Sequence, residues 1–264
     1  MKVLDYPGAK WRIADWIIKY FPEHKTYLEP FAGSAAVLFK KEPSRIETIN
    51  DLEGDVVNLF EVIRRNPERL ATEIAATPFS REEYNRSFRE KGQDSIQRAR
   101  QFLIQSWQGY GYRVHEKTGW KNDIAGREYA YACRHWNHLP EAIVFAAGRL
   151  KMVQIENMPA IELIKRYKNP DVLIYADPPY LATTRNRKQY NHEMLENHEH
   201  MELLEVLKAH SGKVILSGYD NKLYNRELEG WTKKSKQSNA QGGLKRVETI
   251  WMNFEPTTQT AIDI

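Results

Sequence analysis

The chain has 264 residues, 41% of them hydrophobic and 28% charged, which suits one α/β domain carrying an inserted subdomain. A single cysteine, Cys133, excludes an internal disulfide framework and a zinc–thiolate cluster, and fits a reducing cytoplasm. The net charge of +4 permits a polyanionic partner without demanding one, and no apolar run resembles a signal peptide or approaches the ~20 residues of a membrane span.

The chain opens on Tyr6-Pro7-Gly8-Ala9-Lys10, a turn that Gly8 permits, followed by an amphipathic helical pattern over Trp11–Phe21 that Pro22 stops. Lys10 sits near the helix start, where it opposes the helix dipole, so a ligand carboxylate is a candidate partner. Next, a short strand from Thr26 leads through Glu29-Pro30-Phe31-Ala32-Gly33-Ser34 into a helix ending near Phe39. Small residues at such a strand-to-helix turn let the backbone approach a ligand. With Gly33 its sole glycine, the turn is no GxGxxG, which disfavours a dinucleotide-binding oxidoreductase.

A second strand, Arg45–Ile49, ends at Asn50-Asp51. An acid there, about 20 residues after the glycine turn, is placed to accept two ribose hydroxyls; capping the next helix, Asp55–Arg64, is the alternative use. From Asn66 to Leu150 the pattern changes to helical windows at Pro67–Ala76, Arg81–Glu90, Ser95–Trp107 and Pro140–Leu150. Between the last two, Gly109–Tyr129 has no period and interleaves glycine, aromatic and basic residues, the mixture that base stacking and phosphate contact require. Arg113, Lys117, Asn122 and Arg127 are its candidate nucleic-acid contacts.

Val153–Asn157 reads as a third strand, with Asn157 at its polar end. Val172–Ala176 is a short, mostly apolar run and reads as a buried parallel strand. It stops at Asp177-Pro178-Pro179-Tyr180, because neither proline can donate to a ladder. Asp177 is thereby left at the carboxyl end of a central strand, where open α/β sheets place ligands, and Tyr180 is presented as an aromatic face. A carboxylate, proline carbonyls and a ring together suit a flat group bearing an NH₂. Four specified residues arise by chance in a chain of this length with a probability on the order of 10⁻³.

Thr183–Lys188 is a basic polar loop, Glu196–His210 a helix, and Lys213–Tyr219 another buried strand. His198 and His200 are two apart on that helix and do not share a face, so with His192 they give no metal site. Trp231–Phe254 reads as a hairpin around Asn239–Gly243, with Lys233, Lys234, Lys236, Lys245 and Arg246 as basic groups that flank either the site or solvent.

The DPPY tetrapeptide after an apolar strand resembles the catalytic motif of the amino-group methyltransferases that act on nucleic-acid bases. With PGAK ahead of it and FAGS, Asn-Asp and an insert between, nearly the whole chain is similar to the Dam-type DNA adenine methyltransferases in motif order. The resemblance implies a SAM-methyltransferase doubly wound sheet with a C-terminal antiparallel hairpin. Residues 1–65 and 151–264 would form the catalytic domain, and 66–150 a mainly helical recognition subdomain. It implies S-adenosylmethionine (SAM) as cofactor, held by Tyr6, Lys10, Glu29, Phe31, Gly33, Ser34, Asp51, Asn157 and Asp177. It implies catalysis by Asp177, Pro178 and Tyr180 on adenine N6 in a base flipped out of duplex DNA. A cytoplasmic monomer, with a restriction endonuclease as a candidate partner, completes the expectation. Methylation of cytosine N4 or of an RNA base, and a silent nucleic-acid-binding relative, stay open at this point.

Overall fold

The computed structural model describes residues 2–112, 114, 116–122, 124, 131–181, 191–239 and 245–256. Five strands run parallel: β1 (Thr26–Glu29), β2 (Ile46–Asn50), β3 (Val153–Glu156), β4 (Val172–Ala176) and β5 (Lys213–Tyr219). β6 (Thr232–Asn239) and β7 (Lys245–Met252) form an antiparallel hairpin that docks on β5 through β7. The order is β3-β2-β1-β4-β5-β7-β6, so the expected doubly wound sheet with a terminal hairpin is present. Strand order reverses between β1 and β4, and the crevice at the carboxyl ends of those strands is where such sheets bind ligands. All five β4 residues are buried, as their lack of polar alternation requires.

Several helices start at a side-chain acceptor or a proline. Ser80 caps α5 (Arg81–Arg89), Asp94 caps α6 (Ser95–Gln108), and Pro67 occupies the first turn of α4 (Pro67–Ala75). The N-cap of α3 (Gly54–Arg65) is Glu53, so Asp51 does not cap it. The Trp11–Phe21 pattern forms a helix only over Ala14–Ile18, α1. Its start waits for Ile13, which takes φ −121° and ψ −2° at the N-cap, outside the helical range, while the N–H groups of Ile13 and Ala14 both donate to the Lys10 carbonyl at 2.9 and 2.7 Å. Its end tightens into bonds from Tyr20 to Ile17 and from Phe21 to Ile18, since Pro22 cannot continue the ladder. The helix after the Gly33 turn is α2 (Ala36–Lys40); three short helices, α7 (Tyr131–Asn137), Ala160–Arg166 and Lys222–Glu227, escape periodicity because two turns or fewer show no repeat.

The segment 66–150 shares its core with the sheet domain. Leu59 and Ile63 of α3, Leu70 and Ile74 of α4, Phe102 and Leu103 of α6, and Ile143 and Leu150 of α8 (Leu139–Leu150) belong to one buried cluster. The start of the chain is clamped to this segment: the Trp107 indole donates to the Val3 carbonyl at 3.0 Å, and the Ser106 hydroxyl to that of Asp5. Lys121 adds a bond to the Trp107 carbonyl at 3.0 Å and lies 3.7 Å from the Asp5 carboxylate. The aperiodic stretch is an ordered loop where it is described. Gly109 and Trp120 form an antiparallel bridge, Tyr110 N–H donates to Gly119 O at 2.8 Å, and the Tyr84 hydroxyl holds Thr118. Tyr84 lies so close behind Gly109 that a Cβ there would meet its ring at 3.0 Å.

A second anchor lies under α8. Arg149 donates to Glu47 of β2 and to the Leu38 carbonyl, while Lys41 reaches the same carboxylate at 2.5 Å. The Glu47 side chain is 2% exposed, so desolvation strengthens each of these bonds. Arg149→Met is predicted to lower stability by about 1.5–3 kcal/mol, the range for hydrogen bonds to a charged group, with Lys41 still neutralising Glu47. Urea unfolding should show a lowered midpoint; an unchanged one would make this anchor dispensable.

Candidate active site

A cavity of about 300 Å³ opens at the carboxyl ends of β1, β2 and β4. Its lining includes Tyr6, Lys10, Glu29, Phe31, Gly33, Ser34, Asp51 and Asp177, so eight of the nine residues expected to hold a cofactor converge there from four separate segments. Asn157 stands outside the lining, exposed, with its amide donating to the carbonyls of Asp51 and Leu52 at 2.7 and 3.3 Å. It holds the turn that carries Asp51.

Gly33 takes φ +48°, a left-handed conformation that glycine adopts without strain. A Cβ there would meet the Tyr6 ring at 3.2 Å. The glycine thus lets the aromatic close over the turn, and Tyr6 is buried. Asp51 stitches this turn to the next helix: one carboxylate oxygen accepts from Gly33 N at 2.7 Å and the other from Glu53 N at 2.9 Å. Burial pushes the Asp51 carboxyl up to about 6, against the pull of those two N–H groups. Glu29 is 2% exposed and accepts from the Tyr27 hydroxyl at 2.8 Å and from Leu38 N at 3.2 Å. Burial raises it to about 8, with the nearby Asp177 adding to the rise, so it is mainly a neutral acid at pH 7.

Asp177 follows β4 and meets Lys10, whose ammonium is 2.8 Å from Oδ2 and donates to the Gly8 carbonyl at 2.7 Å. Lys10 is 6% exposed. The other oxygen, Oδ1, is buried with no hydrogen-bond partner among the described residues. The same ammonium lies 4.8 Å from the centre of the Tyr180 ring. PGAK and DPPY, over 160 residues apart, therefore form one cluster of acid, base and ring. Pro179 lines the cavity, while Pro178 and Tyr180 lie beyond its lining. Burial holds the Tyr180 hydroxyl well above its ordinary range, with Asp177 adding to the effect, so it stays protonated.

Of the expected DNA contacts, Lys117 is exposed and Asn122 half-buried on the 109–122 loop. Arg113 and Arg127 lie outside the described residues, as do the basic loop at Thr183–Lys188 and most of the hairpin turn at Asn239–Gly243. His200 is buried, bonded to the Tyr224 hydroxyl at 2.8 Å and the Met194 carbonyl at 3.0 Å, which accounts for both ring nitrogens. Among the described residues no cluster of three metal-ligating side chains occurs. None of their helices is long and apolar enough to cross a membrane.

The family model for D12 class N6 adenine-specific DNA methyltransferases matches residues 6–240. The chain belongs to that family. It transfers a methyl group from S-adenosylmethionine to adenine N6 in DNA. The methyltransferase is 26% identical to the DNA adenine methylase of Escherichia coli strain K12, over 96% of this chain and 95% of the relative. It is 24% identical to the type II methyltransferase M.MjaIII of Methanocaldococcus jannaschii, over 95% of this chain and 98% of that one. The DNA N-6-adenine-methyltransferase of Escherichia phage P1 matches at 24% identity over 81% of this chain and 29% of its own length.

Sequence reasoning missed several parts of the site. Glu53 and Asn191 line the cavity and bond to each other at 2.8 Å, and His192, Glu193 and Met194 line it too. It also missed Glu248, which accepts from the Tyr180 hydroxyl at 2.8 Å. One signal was available: an acid at the second position of Val247–Trp251, an otherwise uncharged run rich in strand formers.

The raised Glu29 carboxyl has a consequence for stability. An acid whose folded-state pKa exceeds its unfolded value near 4.5 binds more protons when folded, so stability falls as pH rises from about 4.5 to about 8. Glu29→Gln keeps an acceptor for Tyr27 and Leu38 without the titration. Urea midpoints measured from pH 5 to pH 8 should fall more steeply for the natural enzyme than for this variant; parallel profiles would contradict the assignment.

Proposed function

We propose that the methyltransferase grips an extruded adenine between Asp177 Oδ1, the Pro178 carbonyl and the Tyr180 ring. The observation that carries this reading is the buried Oδ1 of Asp177, which has no partner among the described residues while Lys10 neutralises its twin. A buried acceptor left unmet is unfavourable and is normally explained by a role. Adenine N6 is a poor nucleophile because its lone pair is delocalised into the ring. If Oδ1 and the Pro178 carbonyl accept its two hydrogens, the nitrogen becomes more tetrahedral and its lone pair turns toward the electrophile. Asp177 is then placed to take the proton released. The Lys10 ammonium lies 4.8 Å from the centre of the Tyr180 ring, which ties the ring assigned to the base to the carboxylate that grips it.

The cavity chemistry fits the cofactor. A carboxylate at the end of β2, a side-chain-free cradle at Gly33 and the Tyr6 and Phe31 rings match hydroxyls, backbone approach and a flat base. Tyr6, Lys10, Glu29, Phe31, Gly33, Ser34 and Asp51 would hold SAM, which supplies the electrophilic methyl group when bound. Asn157 supports Asp51 from behind. A stacked base cannot reach Asp177, so extrusion at a cost of a few kcal/mol accompanies the reaction. We assign recognition to residues 66–150, with the 109–122 loop and its exposed Lys117 facing DNA, and the cofactor and chemistry to residues 1–65 and 151–264. Asn122, Arg113 and Arg127 complete that assignment.

Asp177→Ala is predicted to cut transfer of tritiated methyl groups into DNA by about 10²–10⁴-fold, the range for a positioned acid–base group. Turnover near that of the natural enzyme would overturn the grip. A second prediction concerns Asp51, which is ionised above about 6 and loses acceptor capacity below it. S-adenosylhomocysteine affinity, measured calorimetrically, should therefore weaken as pH falls through about 6. Asp51→Asn should flatten that dependence; an unchanged profile in the variant would remove Asp51 from the ribose.

A further inference from the structure

Tyr180 is held at both ends. Its backbone follows two prolines at the end of β4, and its hydroxyl lies 2.8 Å from Glu248 Oε2 and 3.5 Å from Ser217 Oγ. Glu248 sits on β7 directly opposite Tyr219 of β5, two residues after Ser217, so the antiparallel β5–β7 pair forms a socket for the phenol. Tyr219 closes the socket, its ring 4.5 Å from that of Tyr180 and inclined at 71°. Lys236 of β6 faces Glu248 from the other side in register.

Glu248 is 9% exposed, within a run where Thr249, Ile250 and Trp251 are buried. A carboxylate at such a place is unfavourable unless it is paired, and an apolar residue would serve the sheet better. The Tyr180 hydroxyl is one of the partners it has there. We propose that Glu248 is a positioning residue for methyl transfer, orienting the Tyr180 ring by accepting its hydroxyl proton in a hydrogen bond. This rests on the reading that Tyr180 receives the base. Neither Glu248 nor Tyr180 is among the residues that line the cavity, so we assign the hydrogen bond to the base. The hydroxyl acts as a hook, and the ring as the working surface.

Single-turnover transfer into unmethylated genomic DNA and calorimetric binding of S-adenosylhomocysteine test this together. Glu248→Leu should slow transfer about ten- to a hundredfold, the worth of a charge-assisted bond, with cofactor-product affinity unchanged. Glu248→Gln, which keeps a carbonyl acceptor, should recover most of that rate. Tyr180→Phe should slow transfer by a similar factor, and adding Glu248→Leu to it should cost nothing further. A full rate in Glu248→Leu or Tyr180→Phe, or additive losses in the double variant, would overturn the proposal. Should Glu248→Leu fail to bind S-adenosylhomocysteine, Tyr180→Phe alone decides. Tyr180→Ala separates the two readings. If it is slow while Glu248→Leu is fast, only the positioning role falls; if it is fast, the base-receiving role falls as well.

Discussion

The contact between Lys10 and Asp177 is the constraint on which the site depends. One ammonium satisfies one oxygen of the carboxylate at 2.8 Å, is itself braced by the Gly8 carbonyl, and lies over the Tyr180 ring. The second oxygen stays buried and without a partner among the described residues. Removing an acceptor from water without a donor costs roughly 1–3 kcal/mol, so the surrounding fold must hold Asp177 in place. It does so through β4, paired on both sides by β1 and β5, and through two prolines that stiffen the exit.

That contact also explains why the start of the chain is anchored to the insert. Val3 and Asp5 are bound by Trp107, Ser106 and Lys121, immediately upstream of Tyr6 and Lys10. A frayed N-terminus would leave Lys10 unplaced and Asp177 with two unmet oxygens. The cofactor side is organised by the same logic of shared carboxylates. Asp51 joins the Gly33 turn to α3, and Glu29, mainly protonated at pH 7 because burial raises its carboxyl to about 8, lines the cavity with little added negative charge near Asp177.

Much of this was legible in the sequence because the signals were local. An apolar run ending in Asp-Pro-Pro-Tyr leaves its carboxylate at the end of a strand, and an acid closing the second strand stands at the same edge of a doubly wound sheet; of the two uses open to Asp51, the helix cap is taken by Glu53. The Lys10 position pointed to a ligand carboxylate, whereas its partner is the protein's own Asp177, reached through a sheet crossover that no spacing rule encodes. Glu248 and Asn191 were missed for the same reason: each acts through a contact over 60 residues distant in sequence. The Asn157 amide addresses backbone carbonyls outside the cavity lining, since the strand stops one residue earlier than its polar end suggests. The 109–122 loop had no period because its order comes from Tyr84 and Gln108 on neighbouring helices rather than from its own repeat.

The most direct measurement is a crystal structure of the enzyme with a non-reactive cofactor analogue and a duplex carrying its methylation site. The account predicts the target adenine outside the helix, with N6 within about 2.7–3.2 Å of Asp177 Oδ1 and Lys10 still on Oδ2. An adenine whose N6 meets a different acceptor, or a Lys10 that has left Asp177 to hold the cofactor alone, would contradict it.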